Sequence, residues 1–101
     1  MNKKKLFYVG EYILELIVPD DLSLKDSLKN NINAYNENGQ LVWNIAELLK
    51  DFSIQNGLKY FDDMYFDIRV LYDDKIFCMG YINHCEIDLK EGRITKIVNN
   101  R

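Results

Sequence analysis

The side chains in this 101-residue chain that could perform metal or thiol chemistry are two cysteines and one histidine. Cys78, His84 and Cys85 form a soft ligand set of the kind that binds zinc, but a zinc site usually takes four ligands or keeps a fourth position for water. His84 and Cys85 are adjacent, so in a strand they point to opposite faces. We therefore expect both cysteines to be reduced, structural residues, and we expect no metal and no other cofactor.

Catalysis by a cysteine would need a lowered thiol pKa, His84 as the base and a third, orienting group. The sequence indicates none of these arrangements, and it contains no glycine-rich phosphate loop, no nucleophile-elbow serine and no Glu-x-x-His pair. Two carboxylate pairs exist, Asp62-Asp63 and Asp73-Asp74, but adjacent side chains diverge in an extended chain, and aspartates are common turn formers. We predict that the protein is not an enzyme.

The acidic residues in the middle of the chain favour a binding surface instead. Asp67 and Arg69 alternate with apolar neighbours, which places them on one face of a strand, and parity places Tyr65 on the same face. Acidic and aromatic groups together can anchor a basic protein partner, although a solvated face with ordinary turns would look similar in sequence. The predicted partner-binding residues are Asp62, Asp63, Tyr65, Asp67, Arg69, Asp73 and Asp74.

Composition limits the class of protein and its partners. The chain is 48% hydrophobic and 29% charged, which is ordinary globular usage, and its length suits a single β-rich domain over residues 1–101. Its net charge of −3 opposes nucleic-acid binding, which normally needs a basic face. No segment approaches the roughly 18 apolar residues of a membrane span. The lysine-rich start lacks a cleavage site, so we expect a cytoplasmic protein with no membrane partner.

The elements that must position these residues centre on two hairpins, over residues 32–45 and 85–98. Each has apolar alternation on both sides of a polar turn that contains a glycine, Gly39 in the first and Gly92 in the second. Glycine lacks a Cβ and takes positive φ at little cost, so both residues are predicted to be structural turn positions. Two such units are too few for a solenoid or a propeller, and we expect both hairpins to contribute to one core.

The remaining segments suggest a meander with one or two short helices. Residues 6–18 predict either one long strand with a bulge or two strands joined near Gly10. Residues 23–30 could form a short helix or a loop, since their amphipathicity is weak. Apolar spacing predicts a helix over residues 46–52 that ends before Asn56. Strand patterns resume at residue 64 and alternate with short turns to the end of the chain.

The first hairpin resembles the core of a group of short bacterial proteins with the pattern A-Y-x-x-N-G-x-L-x-W-x-I followed by a helix. The matching residues here are Ala34, Tyr35, Asn38, Gly39, Leu41, Trp43 and Ile45. Some of those proteins lie in loci that resemble toxin-immunity clusters, and the resemblance therefore implies a toxin-binding role. Both hairpins are also similar to single blades of quinoprotein-like propellers. They depart from that pattern when the two hairpins are aligned in sequence, because Tyr35 then matches Asp88 and Lys96 matches Trp43.

We predict a mainly β fold, an antiparallel meander or roll of about six to eight strands, with one or two short helices packed on a face or end. A one-residue slip in any strand would invert its buried face. The predicted core consists of Phe7, Val9, Ile13, Ile17, Ile32, Ala34, Leu41, Trp43, Ile45, Leu48, Leu49, Phe66, Ile68, Val70, Ile76, Cys78, Ile87 and Ile94.

Three functional hypotheses follow. The first is a non-catalytic interaction protein, an immunity-type inhibitor that masks a basic toxin domain with its acidic and aromatic surface. The second is a self-associating structural module, since open sheet edges allow two copies to form a homodimer. The third is a small-ligand-binding or enzymatic domain, for which a deep polar pocket is required.

Overall fold

The computed structural model describes residues 3–19, 29–72 and 74–99. Eight β-strands and one α-helix form within these ranges. Their bounds are β1 Lys3–Val9, β2 Tyr12–Val18, β3 Ile32–Tyr35, β4 Leu41–Asn44, α1 Ile45–Gln55, β5 Tyr65–Val70, β6 Lys75–Gly80, β7 Asn83–Asp88 and β8 Arg93–Asn99. The mainly β prediction is confirmed.

The strands form two antiparallel sheets, each a four-stranded meander in chain order. Strands β1 to β4 make the N-terminal sheet, and strands β5 to β8 make the C-terminal sheet. Helix α1 connects the two and packs against β4 and β8, while β2 contacts β5. The predicted antiparallel meander is confirmed, and it is divided into two halves of equal strand number.

The first strand region is a hairpin of two strands. Val9 pairs with Tyr12, which leaves only Gly10 and Glu11 in the turn, and Gly10 has a φ of 59°. A two-residue turn with positive φ matches the right-handed twist of the strands it joins. Of the two alternatives for residues 6–18, two strands is therefore the correct one. Residues 20–28, which contain most of the segment predicted as helix or loop, lie outside the described residues.

The two similar hairpins lie in different sheets, where they form β3–β4 and β7–β8. Gly39 has a φ of 79° and Gly92 a φ of 66°. In the first turn the Asn36 carbonyl accepts the Gly39 amide at 3.0 Å, and in the second the Asp88 carbonyl accepts the Gly92 amide at 2.8 Å. Both turns thus rely on a glycine in the left-handed region, closed by a backbone hydrogen bond.

Helix α1 begins and ends at local hydrogen bonds made by asparagine residues. The Asn44 side chain caps its start by accepting the Ala46 amide at 2.9 Å. At its end the Asn56 amide donates to the Phe52 carbonyl at 3.0 Å, and Gly57 follows with a φ of 62°. The helix is longer than predicted by one residue at its start and three at its end, and it stops before Asn56 as expected.

One hydrophobic cluster joins both sheets and the helix. Its buried members are Val9, Leu14, Leu16, Ile32, Ala34, Trp43, Ile45, Leu48, Leu49, Tyr65, Ile68, Ile76, Cys78, Cys85, Ile87, Leu89 and Ile94. Twelve residues of the predicted core are in this set, so both hairpins do contribute to a shared core. Phe7 packs against the cluster but is only partly buried.

The predicted core was wrong in β2, where Leu14 and Leu16 are buried while Ile13 and Ile17 are only partly so. The reason is that β2 has apolar residues on both faces, so alternation alone does not reveal its buried side.

Leu41, Phe66 and Val70 were also predicted in the core but are exposed. The pairing register shifts between Tyr65 and Asp67 in β5 and between Ala34 and Tyr35 in β3. Such a bulge reverses the alternation locally, which buries Tyr65 instead of Phe66 and places Leu41 on the outer face. Val70 is the last residue of β5, in regular register opposite Ile76, and no bulge accounts for its exposure.

Candidate functional site

The seven predicted partner-binding residues separate into buried and accessible groups. Asp63 is 1% exposed and Tyr65 is fully buried, so the prediction that they contact a partner is wrong. Asp62 and Arg69 are exposed, and Asp67 and Asp74 are partly exposed. Asp73 lies outside the described residues. The accessible part of the predicted surface is therefore smaller than the sequence suggested.

Asp63 is buried because it holds the β6–β7 turn in place. Its carboxylate accepts backbone amides of Met64 at 2.8 Å, Ile82 at 3.1 Å and Asn83 at 3.1 Å. The carboxylate fits against Gly80, where an added Cβ would clash with Asp63 Oδ2. These backbone amides replace the hydrogen bonds to water that the carboxylate loses when it is buried. Asp63 is thus a structural residue.

Tyr65 is buried at the junction of the two sheets, where Asn31 binds its backbone. The Asn31 side chain accepts the Tyr65 amide at 2.7 Å and donates to the Tyr65 carbonyl at 2.7 Å. The same amide group also donates to the Ile17 carbonyl of β2 at 2.7 Å. One buried asparagine therefore joins the N-terminal sheet to the edge of the C-terminal sheet. Sequence reasoning missed Asn31 because it lies 34 residues from its partner.

Asp62 remains accessible and carries a defined negative charge. Asn30 Nδ2 donates to its carboxylate at 2.9 Å, and the Tyr60 hydroxyl also donates to it. The hydrogen bond from Asn30 and, to a smaller extent, the one from Tyr60 hold the pKa of Asp62 below its usual range. The Lys50 ammonium lies 5.5 Å from the Tyr60 ring centroid. Asp62 is consequently ionised at neutral pH on an exposed surface.

Asp67 and Arg69 lie on one face of β5, as alternation predicted. Arg69 Nε is 3.7 Å from Asp67 Oδ2, and the Asp67 carboxylate also accepts the Ile68 amide at 2.9 Å. Asp67 therefore contributes negative charge and occupies a backbone donor on the edge of the sheet.

Sequence reasoning missed the apolar residues that accompany these charges. Six large apolar side chains of β5, the β5–β6 turn and the β6–β7 turn are between 38% and 61% exposed. They are Phe66, Val70, Leu71, Tyr72, Tyr81 and Ile82. The rings of Phe66 and Tyr81 meet edge to face with centroids 5.4 Å apart. One signal was available, since seven of the thirteen aromatic residues lie between positions 60 and 81.

We define the β5 surface as these six apolar residues together with Asp62, Asp67, Arg69 and Asp74. Its aromatic members supply rigid contact area and its carboxylates supply negative charge. The surface therefore combines apolar contact area with accessible carboxylates.

The cysteines and the histidine are positioned as structural residues. Cys78 and Cys85 are fully buried and pair across β6 and β7, whereas His84 faces outward with its ring 5.4 Å from that of Phe77. Burial raises the pKa of the Cys78 thiol and raises that of Cys85 to about 11. Both thiols are therefore protonated at neutral pH, which opposes a nucleophilic role.

A polar cleft of about 510 Å³ lies where three hairpin turns meet, and it is lined by Gly10, Asp74, Lys75, Asp88 and Lys90. Asp74 of the β5 surface is therefore one of the residues that line this cleft. Within the described ranges, no three His, Cys, Asp or Glu side chains converge to hold a metal ion.

Comparison with known proteins finds no matching family model, no matching curated protein and no matching solved structure. Over the residues that the structure describes, no helix has the length and apolar character needed to cross a bilayer.

Proposed function

We propose that this protein is a non-catalytic interaction domain that binds a basic protein partner through the β5 surface. The observation that supports this most strongly is the exposure of six large apolar side chains, 38–61% each, on β5, the β5–β6 turn and the β6–β7 turn, where Tyr81 contacts Phe66. Single exposed apolar residues are common on protein surfaces, but a group rimmed by charges is typical of an interaction site.

The charges of the β5 surface favour a basic partner. Asp62, Asp67 and Asp74 contribute three carboxylates, and Arg69 is the one cation among the residues of this surface. Arg69 is already paired with Asp67, and the adjoining Lys75 ammonium lies 5.7 Å from the Tyr72 ring centroid. Carboxylates around an aromatic contact steer a basic partner and discriminate against acidic ones.

The biological role we propose is that of an immunity-type inhibitor, which covers a basic toxin domain in the cytoplasm. An inhibitor needs only to occlude its target, so aromatic contact and complementary charge are sufficient for it. The resemblance of the first hairpin to proteins from toxin-immunity-like loci agrees with this role.

The test is co-purification with the toxin-like product of an adjacent reading frame, followed by calorimetric titration. Asp67→Lys and Tyr72→Ala should each weaken binding at least about tenfold, the size expected for central contacts. Glu37→Lys makes the same charge change in the exposed β3–β4 turn and should leave affinity unchanged. Circular dichroism of each variant would show that the fold is retained.

Binding should also weaken as salt is raised, because charge steering is screened. Unchanged affinity in both β5 variants, or loss of affinity in the Glu37 control alone, would exclude the β5 surface as the contact region.

A further inference from the structure

The outer face of the N-terminal sheet carries apolar side chains where a solvated sheet would normally be polar. Tyr8 pairs with Ile13, Ile13 with Tyr35, and Tyr35 with Leu41, so one row crosses all four strands. Tyr8 is 72% exposed and Leu41 is 57% exposed. The neighbouring Val42, beside the register shift, is 45% exposed. This row is a continuous apolar strip on the sheet.

The adjacent row on the same face is polar but internally satisfied. Glu15 Oε1 accepts Asn33 Nδ2 at 3.0 Å and the Tyr35 hydroxyl at 3.2 Å. Asn33 Oδ1 in turn accepts Asn44 Nδ2 at 2.9 Å. Because these groups already bond to one another, covering the face would leave few of them unpaired, and the cost of removing water from it is low.

The outer face is also close to neutral. Glu15 is the one charged residue of the two rows, and Lys4 Nζ lies 3.5 Å from Glu15 Oε2. By alternation Lys3 and Lys5 point to the other side of β1. A strongly charged partner therefore has little to recognise here, in contrast to the β5 surface. The face suits an occupant that is itself apolar and uncharged.

We infer that this occupant is a second copy of the chain, with two outer faces stacked about a two-fold axis. In such a contact the same patch serves both subunits, so a neutral apolar face is complementary to itself. Two sheets stack face to face about 10 Å apart, the arrangement of a β-sandwich. Although each chain has a net charge of −3, the contacting faces do not repel each other.

Three of the four sheet edges, those formed by β1, β4 and β5, are poorly suited to the same task. β1 carries Lys3, Lys4 and Lys5, and β4 is only four residues long. On β5 the backbone of Tyr65 is occupied by Asn31, and the Ile68 amide by Asp67. Edge lysines, short strands and occupied donors each disfavour the addition of another strand. Pairing of two copies through a face leaves all of these features undisturbed.

The size of the face predicts a weak dimer. Four strands about 4.8 Å apart, with about 3.3 Å per residue, give a face of roughly 350 Å² in projection, whereas a standard interface buries about 800 Å² on each partner. Dissociation is therefore expected in the micromolar range, and the concentration series must extend well above it.

Sedimentation equilibrium of the full chain, from about 1 µM to about 1 mM, tests this inference. The wild type should dimerise, and Tyr8→Lys and Leu41→Lys should each raise the dissociation constant at least about tenfold. Ile54→Lys replaces an apolar residue of α1 that is 79% exposed, and it should leave the constant unchanged. Thermal unfolding of the variants would show whether the monomer fold is intact.

A wild type that stays monomeric at the highest concentration would overturn the inference. A dimer that resists both face variants but dissociates on Val70→Lys would also overturn it, because the contact would then involve β5. The proposal is independent of the proposed function: Tyr8→Lys should leave toxin binding unchanged, and Asp67→Lys should leave dimerisation unchanged. High salt should weaken toxin binding but not the apolar dimer contact.

Discussion

The two sheets have the same strand number, the same meander order and one glycine-closed hairpin each, yet they differ in what they present to solvent. The outer face of the N-terminal sheet has an apolar row beside a neutral polar network. The outer face of the C-terminal sheet has charged residues such as Arg69, Glu86 and Lys96 around Phe77 and His84. The shared features maintain the fold, and the features that differ give the two outer faces different chemical character.

The two outer faces differ because their polar side chains have different hydrogen-bond partners. In the N-terminal sheet Glu15 is only 12% exposed, because Asn33, Tyr35 and Lys4 surround it. In the C-terminal sheet Glu86 accepts only the Thr95 hydroxyl, at 2.8 Å, among the side-chain contacts of the described residues. A network that satisfies itself can be covered by an apolar surface, whereas free charges favour water or a charged partner.

Replacing a buried polar residue should lower the free energy of unfolding far more than replacing a polar residue of the outer face. Asn31→Ala should lower the free energy of unfolding by about 3–5 kcal/mol, because it leaves three backbone groups of Ile17 and Tyr65 without a partner. Asn33→Ala, in the outer network, should cost about 1 kcal/mol. Urea denaturation of both variants measures this difference. Equal losses would show that the junction contributes no more than a surface network.

A second comparison uses alkaline pH, which should destabilise mainly the C-terminal sheet. Burial raises the pKa of Cys85 from 9.0 to about 11, so the native state keeps a proton that the unfolded chain releases above pH 9. The stability that this protonated thiol contributes is therefore fully present below pH 9. It falls between pH 9 and about 11, by about 1.4 kcal/mol per pH unit for each thiol proton that the native state retains.

Cys85→Ala should flatten this decline in denaturation curves taken from pH 8 to 11. The control is Tyr35→Phe in the N-terminal sheet. Burial and the neighbouring Glu15 also raise the pKa of Tyr35, but this residue is partly exposed, so its removal should change the slope less. If Tyr35→Phe flattened the decline and Cys85→Ala did not, the alkaline loss of stability would arise in the N-terminal sheet instead.

The two hairpin turns should respond alike to substitution. Gly39→Val and Gly92→Val should each lower stability by about 1–2 kcal/mol, because a β-branched residue is strained at positive φ. No atom lies within 4 Å of the position of an added Cβ at either glycine, so the cost is conformational and not steric. Gly39→Asn and Gly92→Asn should cost less. Unchanged melting temperatures in the valine variants would contradict this account of the turns.

The smallest changes are expected at ion pairs whose cation is exposed. Lys4→Ala on the N-terminal sheet and Arg69→Ala on the C-terminal sheet should each change the free energy of unfolding by about 0.5 kcal/mol or less, because a solvated cation gains little from pairing. Denaturant midpoints measured at low and high salt would test this. A clearly larger loss for Lys4→Ala would show that the Glu15 network depends on its cation.

Local features of the sequence were sufficient to predict much of the fold. Alternation identified the strands, the apolar spacing around Leu48 and Leu49 identified the helix, and glycine with its polar neighbours identified both hairpin turns. The accessible charges of the candidate site, Asp67 and Arg69, followed from alternation as well. The apolar half of the β5 surface did not, because the bulge that exposes Phe66 has no signature in a single strand.

The β-meander class, the turn glycines and the helix could be predicted from local patterns, because each depends on side chains within a few residues of one another. Which faces are buried depends on contacts between distant segments, and these contacts place Asp63 and Tyr65 in the interior instead of on the predicted surface. The backbone of Tyr65 bonds to the side chain of Asn31, which lies 34 residues earlier, and no local pattern encodes a contact over that distance.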